Sequence, residues 1–147
     1  MYHTILVPLD GSERGEMILP HVEMLANCFN SRVILLNVIE PVHILTSAES
    51  VDVVEASLEA SEVHEAEIYL AGVVGRLREQ GIQVDTIVEY GPPVKHIVEV
   101  AEREEADLIA MASHGLTGLA RVFYGSVAAG VLHRIDRPLL IIRADGA

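Results

Sequence analysis

Short apolar runs alternate along the chain with longer stretches in which apolar residues recur every three to four positions. Ile5, Leu6 and Val7 form the first run, read as a strand over residues 4–9. Asp10, Gly11 and Ser12 break it, with Asp10 or Ser12 available to cap the next helix. In that helix Ile18, Val22, Leu25, Ala26 and Phe29 make a stripe at helical spacing, and Pro20 kinks it or delays its regular start. Residues 32–38 form the second run, and the pattern is then lost from 42 to about 50. A long helical segment follows up to Gln80, with Ala66, Leu70, Val73, Val74 and Leu77 as its stripe and Gly81 as its terminator. Its Glu- and Ser-rich first half reads as a solvated face, ordered only when something binds.

Residues 82–89 alternate apolar with polar, as a strand near a sheet edge does. Gly91-Pro92-Pro93 makes a turn, and Pro93 suits a first helical position because its missing N–H would be unpaired there. Val94, Ile97, Val98 and Ala101 repeat at i, i+3, i+4 and i+7. The five-residue run from Leu108 to Ala112 reads as a strand buried on both faces. Gly125 and Ser126 open a last helix, with Val127, Val131 and Leu132 on its apolar face, and residues 138–142 form a fifth strand. Strands alternating with helices predict a five-stranded parallel α/β sheet with right-handed crossovers and helices on both faces. No repeat or linker interrupts it, so residues 1–147 are expected to form a single domain.

Composition fits that reading. Half of the residues are apolar and only 4% are aromatic, so the core must be aliphatic. The net charge of −12, with Lys95 the only lysine, argues against nucleic acid as a partner. Cys28 stands alone, which excludes an intramolecular disulfide; beside Ala26 and Phe29 it is expected to be a small buried side chain. No leader pattern precedes the first strand, and no apolar run reaches the ~20 residues of a membrane span. The expected location is the cytoplasm.

The stretch from Asp107 to Ser126 carries the candidate chemistry. A buried strand ends at Ser113, His114 and Gly115, and Gly125 and Ser126 then open a helix whose free N–H groups can face an anion. Gly115 and Gly125 allow close backbone approach. Read as Ala112-x-x-Gly115, nine residues, Gly125-Ser126, the spacing resembles the nucleotide-binding motif of the universal stress protein family. Ala112 stands where ATP-binding members usually have the first glycine, and Leu116 where many have Arg or Lys. The resemblance extends over nearly the whole chain, including Ile5 to Ser12 and Arg137 to Arg143.

What the resemblance implies is a Rossmann-like sheet in the order 3-2-1-4-5, whose first and fourth strands are neighbours with a crevice at their carboxyl ends. Pro8, Asp10 and Val38 would line the adenosine half of the pocket. Met111, Ala112, Gly115, Gly125, Ser126 and Val127 would meet ribose and phosphates, with Ser113 in the same turn. Arg121 would reach the outer phosphates, and His114 stands beside the cleft as a local hydrogen-bonding residue. The implied ligand is ATP or another adenine nucleotide, with Mg²⁺ carried by its phosphates. The implied assembly is a homodimer through strand 138–143, an apolar edge that otherwise invites unwanted pairing.

No G-x-x-x-x-G-K-[ST], G-x-S-x-G or H-E-x-x-H motif occurs, and the histidines show no metal-ligand spacing. Three functional readings follow: an ATP-binding regulatory module in stress response, an interaction protein that binds no nucleotide, and a slow ATPase.

Overall fold

The computed structural model describes residues 1–41, 51–113 and 125–144, and of residues 51–56 the backbone alone. The chain runs β1 (Thr4–Pro8), α1 (Glu13–Glu16), α2 (Leu19–Phe29), β2 (Arg32–Ile39), α3 (Val51–Glu79), β3 (Gln83–Tyr90), α4 (Pro93–Arg103), β4 (Leu108–Ala112), α5 (Ser126–Arg134) and β5 (Leu139–Ile142). All four strand pairings are parallel, in the order β3-β2-β1-β4-β5. This is the sheet expected from the resemblance, with the alternating strand, residues 83–90, at an edge.

Alternate residues of the central strands feed two aliphatic cores. Ile5, Val7, Val33 and Leu35 meet Ile18, Val22 and Ala26 of the first helical segment and Leu70, Val73 and Leu77 of α3. Leu6, Ile34, Leu36 and Ile109 meet Ile97, Val100 and Ala101 of α4 and Ala128 and Val131 of α5. Each fully buried aliphatic side chain contributes about 1.5–3 kcal/mol relative to exposure. The helices preceding β3 thus cover one face and the later ones the other, which makes β1 and β4 the pair where the winding reverses.

The local signals act where the chain places them. Pro20 sits in the first turn of α2, so the regular helix starts at Leu19, separated from α1 by Met17 and Ile18. Asn30 closes α2 in the left-handed region at φ 54°, and Gly81 turns the end of α3 at φ 80°. Asp107 pins the start of β1 to β4: its carboxylate accepts from the His3 and Thr4 amides at 2.8 and 3.0 Å. Arg137, just before β5, donates through Nη1 to the carbonyls of Ala101 and Ala106, both at 2.8 Å.

Two burial expectations fail, both through helix phase. Cys28 is exposed: two residues past buried Ala26, it lies about 200° around the helix from it. Leu132 is 47% exposed, because α5 packs through Ala128 and Val131 and the next residue points away. The patternless segment 42–50 and any ordering of it lie outside the described residues.

Candidate functional site

The crevice begins with an unequal pairing of β1. Against β2 its register continues to Pro8↔Leu36, but against β4 it stops at Leu6↔Ile109. Pro8 has no N–H to donate, and the carboxyl ends of β1 and β4 part. The chain beyond β1 stays with β2: the Leu9 amide donates to the Leu36 carbonyl at 2.8 Å, and the buried Asn37 donates through Nδ2 to the Leu9 carbonyl at 3.0 Å.

Asp10 therefore emerges at a fixed place. Its Oδ1 accepts from the Ser12 amide at 3.0 Å and from Ser12 Oγ at 2.5 Å. Ser12 is the N-cap of α1, accepting the Gly15 amide at 3.0 Å. Of the two capping candidates Ser12 caps the helix, and Asp10 holds the cap. Glu16, the last residue of α1, accepts from Tyr69 Oη at 3.1 Å and Arg76 Nη2 at 2.5 Å, fastening α1 to α3. The Tyr69 phenol is pushed well above its ordinary value, first by burial and then by the carboxylates of Glu16 and Asp10.

On the other side, Ser113 ends β4. Its amide donates to the Ile142 carbonyl at 2.8 Å, and its carbonyl accepts from the Gly125 amide, so the two ends of the 114–124 segment are tied together. The Ser113 side chain is different: the residue is 3% exposed, and its Oγ is buried without a hydrogen-bond partner among the described residues. A buried hydroxyl left unpaired costs about 1–3 kcal/mol. α5 starts directly after Gly125 with no side-chain cap and no acidic residue in its first turn. Its first helical bond runs from the Ala129 amide to the Gly125 carbonyl at 3.0 Å, so the amides of Ser126, Val127 and Ala128 precede it and lack intrahelical acceptors.

These elements enclose a cavity of about 530 Å³, within the range of small-molecule sites. Pro8, Asp10, Val38, Met111, Ala112, Ser113, Gly125, Ser126 and Val127, nine positions singled out in the sequence, line it together. His114, Gly115 and Arg121 lie outside the described residues. Sequence reasoning passed over Gly15, Asn37, Glu40, Pro93 and Ile97, which also line it. The Gly91-Pro92-Pro93 turn signal was available for Pro93, because that turn follows a strand whose carboxyl end faces the crevice: the Gly91 amide donates to the Ile39 carbonyl at 2.8 Å. Asn37 carried no signal beyond being a polar residue within an apolar strand. Among the described residues no three His, Cys, Asp or Glu side chains form a metal-binding group.

This geometry defines a doubly wound parallel α/β protein with a concave site at its topological switch point. The chain belongs to the universal stress protein family, whose sequence profile matches residues 1–143. It is 32% identical over 155 residues to universal stress protein MJ0577 of Methanocaldococcus jannaschii, covering 97% of this chain and 96% of that one. The solved structure of MJ0577 superposes with a TM-score of 0.88 at 33% identity, over 100% of this chain and 99% of the other. Two more distant structures share the fold. A universal stress protein in complex with cAMP is 24% identical, with a TM-score of 0.69 and 98% of each chain covered. The Archaeoglobus fulgidus protein in complex with dAMP is 22% identical, with a TM-score of 0.66 and 96% and 98% covered. No helix among the described residues is long and apolar enough to cross a membrane.

Proposed function

We propose that this chain binds an adenine nucleotide in the crevice between β1 and β4 and acts as a ligand-controlled regulatory module. The observation that carries the reading is the meeting, in one cavity, of an uncapped helix start and a buried hydroxyl without a partner. Both are unmet donors, and a phosphate supplies acceptors for both. Family members of the same fold that hold cAMP and dAMP support the ligand class.

In this reading Pro8, Asp10 and Val38 hold the adenosine end: the Asp10 carboxylate meets the ribose or base, and the Val38 backbone meets the base. Met111, Ala112, Gly125, Ser126 and Val127 hold ribose and phosphates, assisted by Ser113. His114, Gly115 and Arg121 join the set through the sequence pattern. The charged lining residues among those described are Asp10 and Glu40, both acidic, so main-chain N–H groups carry the phosphate contacts. ATP would enter with Mg²⁺ on its own phosphates. Thermal shift with Mg·ATP, with AMP and with Mg²⁺ alone tests this, together with mass spectrometry of the protein as purified. Both nucleotides raise Tm in a concentration-dependent way while Mg²⁺ does not. Equal Tm in all conditions, with no co-purified nucleotide, would refute it.

A twofold dimer through antiparallel pairing of strand 138–143 belongs to the same proposal. β5 is the outer strand, bonded on one side to β4, and its four residues are all half-buried aliphatics. Its outer edge, which pairs with no strand among the described residues, would template such a pairing.

A further inference from the structure

Gly15 lies in the first turn of α1, is buried and lines the cavity. Its backbone is not in the left-handed region where glycine is needed: among the described residues the positive-φ glycines are 11, 81 and 91. Helix propensity also favours alanine over glycine at a helical position. What excludes a side chain is the neighbouring carboxylate. A β-carbon at Gly15 would lie 2.8 Å from Asp10 Oδ1 and 3.2 Å from Ser12 Oγ. The first is closer than real β-carbon contacts come, so something must shift. Ser12 Oγ is fixed by the Gly15 amide on one side and by Asp10 on the other. α1 is held by Glu16 through Tyr69 and Arg76. The Asp10 carboxylate, at the far end of a flexible side chain, is the group that yields.

We propose that Gly15 is a positioning residue, whose missing side chain lets the Asp10 carboxylate rest against the start of α1 and so sets where Asp10 meets the ligand. The inference rests on the adenine-nucleotide reading for its ligand half, and its structural half stands apart from it. Gly15 would then set ligand affinity through Asp10 without itself touching the ligand.

Four proteins test this: wild type, Gly15→Ala, Asp10→Ala and the double variant, each titrated with Mg·ATP by calorimetry. Gly15→Ala weakens Kd by about tenfold or more when Asp10 is present, the loss of one charge-assisted hydrogen bond. In the Asp10→Ala background the same change alters Kd by less than about twofold, because the group it displaces is gone. Amide hydrogen exchange supplies a ligand-independent readout. Ser12, whose amide donates to Asp10, exchanges faster in Gly15→Ala, while Tm is unchanged or higher. A general structural defect would instead lower Tm along with affinity. An equal loss in both backgrounds would show that the added methyl blocks the ligand directly and would overturn the proposal, as would unchanged Ser12 exchange. Faster Ser12 exchange with no Mg·ATP binding by wild type would overturn the nucleotide reading and the ligand half with it.

Discussion

Replacing Ser113 by alanine separates two consequences that ordinary core substitutions keep together. The Ser113 amide and carbonyl are both bonded, to Ile142 and Gly125, so the variant leaves the strand end and the loop closure intact. It deletes only Oγ, which is buried without a partner. Removing an unpaired buried hydroxyl recovers about 1–2 kcal/mol of the desolvation penalty, after a small loss of packing. At roughly 3 °C per kcal/mol for a chain of this size, the ligand-free Tm should rise by about 3–6 °C. Affinity should move the other way. If the hydroxyl donates to a phosphate oxygen in the complex, its loss costs about 1.5–3 kcal/mol, a factor between about 10 and about 150 in Kd. Differential scanning fluorimetry without ligand and calorimetric titration with Mg·ATP read the two effects independently. A lower ligand-free Tm would show that the hydroxyl is satisfied in solution, and unchanged Kd would remove Ser113 from the phosphate site.

Other expectations follow from single contacts. Asn37→Leu keeps the branch at Cγ but leaves the Leu9 carbonyl without its donor, and should cost about 1–3 kcal/mol in urea unfolding. Leu70→Ala, at a fully buried position of α3, should cost about 2–5 kcal/mol in the same assay. The Tyr69 phenol has its folded pKa raised above the unfolded value, by burial first. The stability it contributes is therefore present below about pH 10 and lost as pH rises through the folded pKa. Tyr69→Phe should abolish that part of the alkaline destabilisation, and an identical stability-against-pH profile would refute it. Sedimentation at micromolar concentration should give a dimer that Leu140→Arg converts to monomer; a monomeric wild type would refute the β5 pairing.

The elements were readable where one local rule acted alone. The apolar run from Leu108 to Ala112 has the observed bounds of β4, and Pro93 opens α4 because a proline can stand there without losing a bond. The alternation of residues 82–89 marked an edge strand, where within β3 Val84 alone is buried and the rest are exposed or half-buried. Errors arose where the answer depended on rotation about a helix axis. Cys28 and Leu132 each neighbour apolar residues in sequence but face away from the core in space, and a step of about 100° per residue separates those two kinds of adjacency.

The cleft was half readable for a related reason. The glycine spacing and the acid after β1 are local patterns, and the structure brings the described ones to one cavity. Asn37, Gly15 and the Ser113 hydroxyl matter through partners distant in sequence or through the lack of one. Asn37 reaches 28 residues back to Leu9, and no window of neighbouring residues records that. Gly15, in a helical stretch, reads as a weak helix former until the carboxylate against its α-carbon is seen.

In the proposed complex the carboxyl ends of β1 and β4 and the start of α5 close on one adenine nucleotide. A titration of ¹⁵N-labelled protein with Mg·ATP, followed by amide shifts, tests it most directly. Saturable shifts should cluster at Asp10, Val38, Ser126 and Val127, with the outer faces of α2 and α3 unmoved. Shifts confined to another surface, or none at millimolar nucleotide, would contradict it.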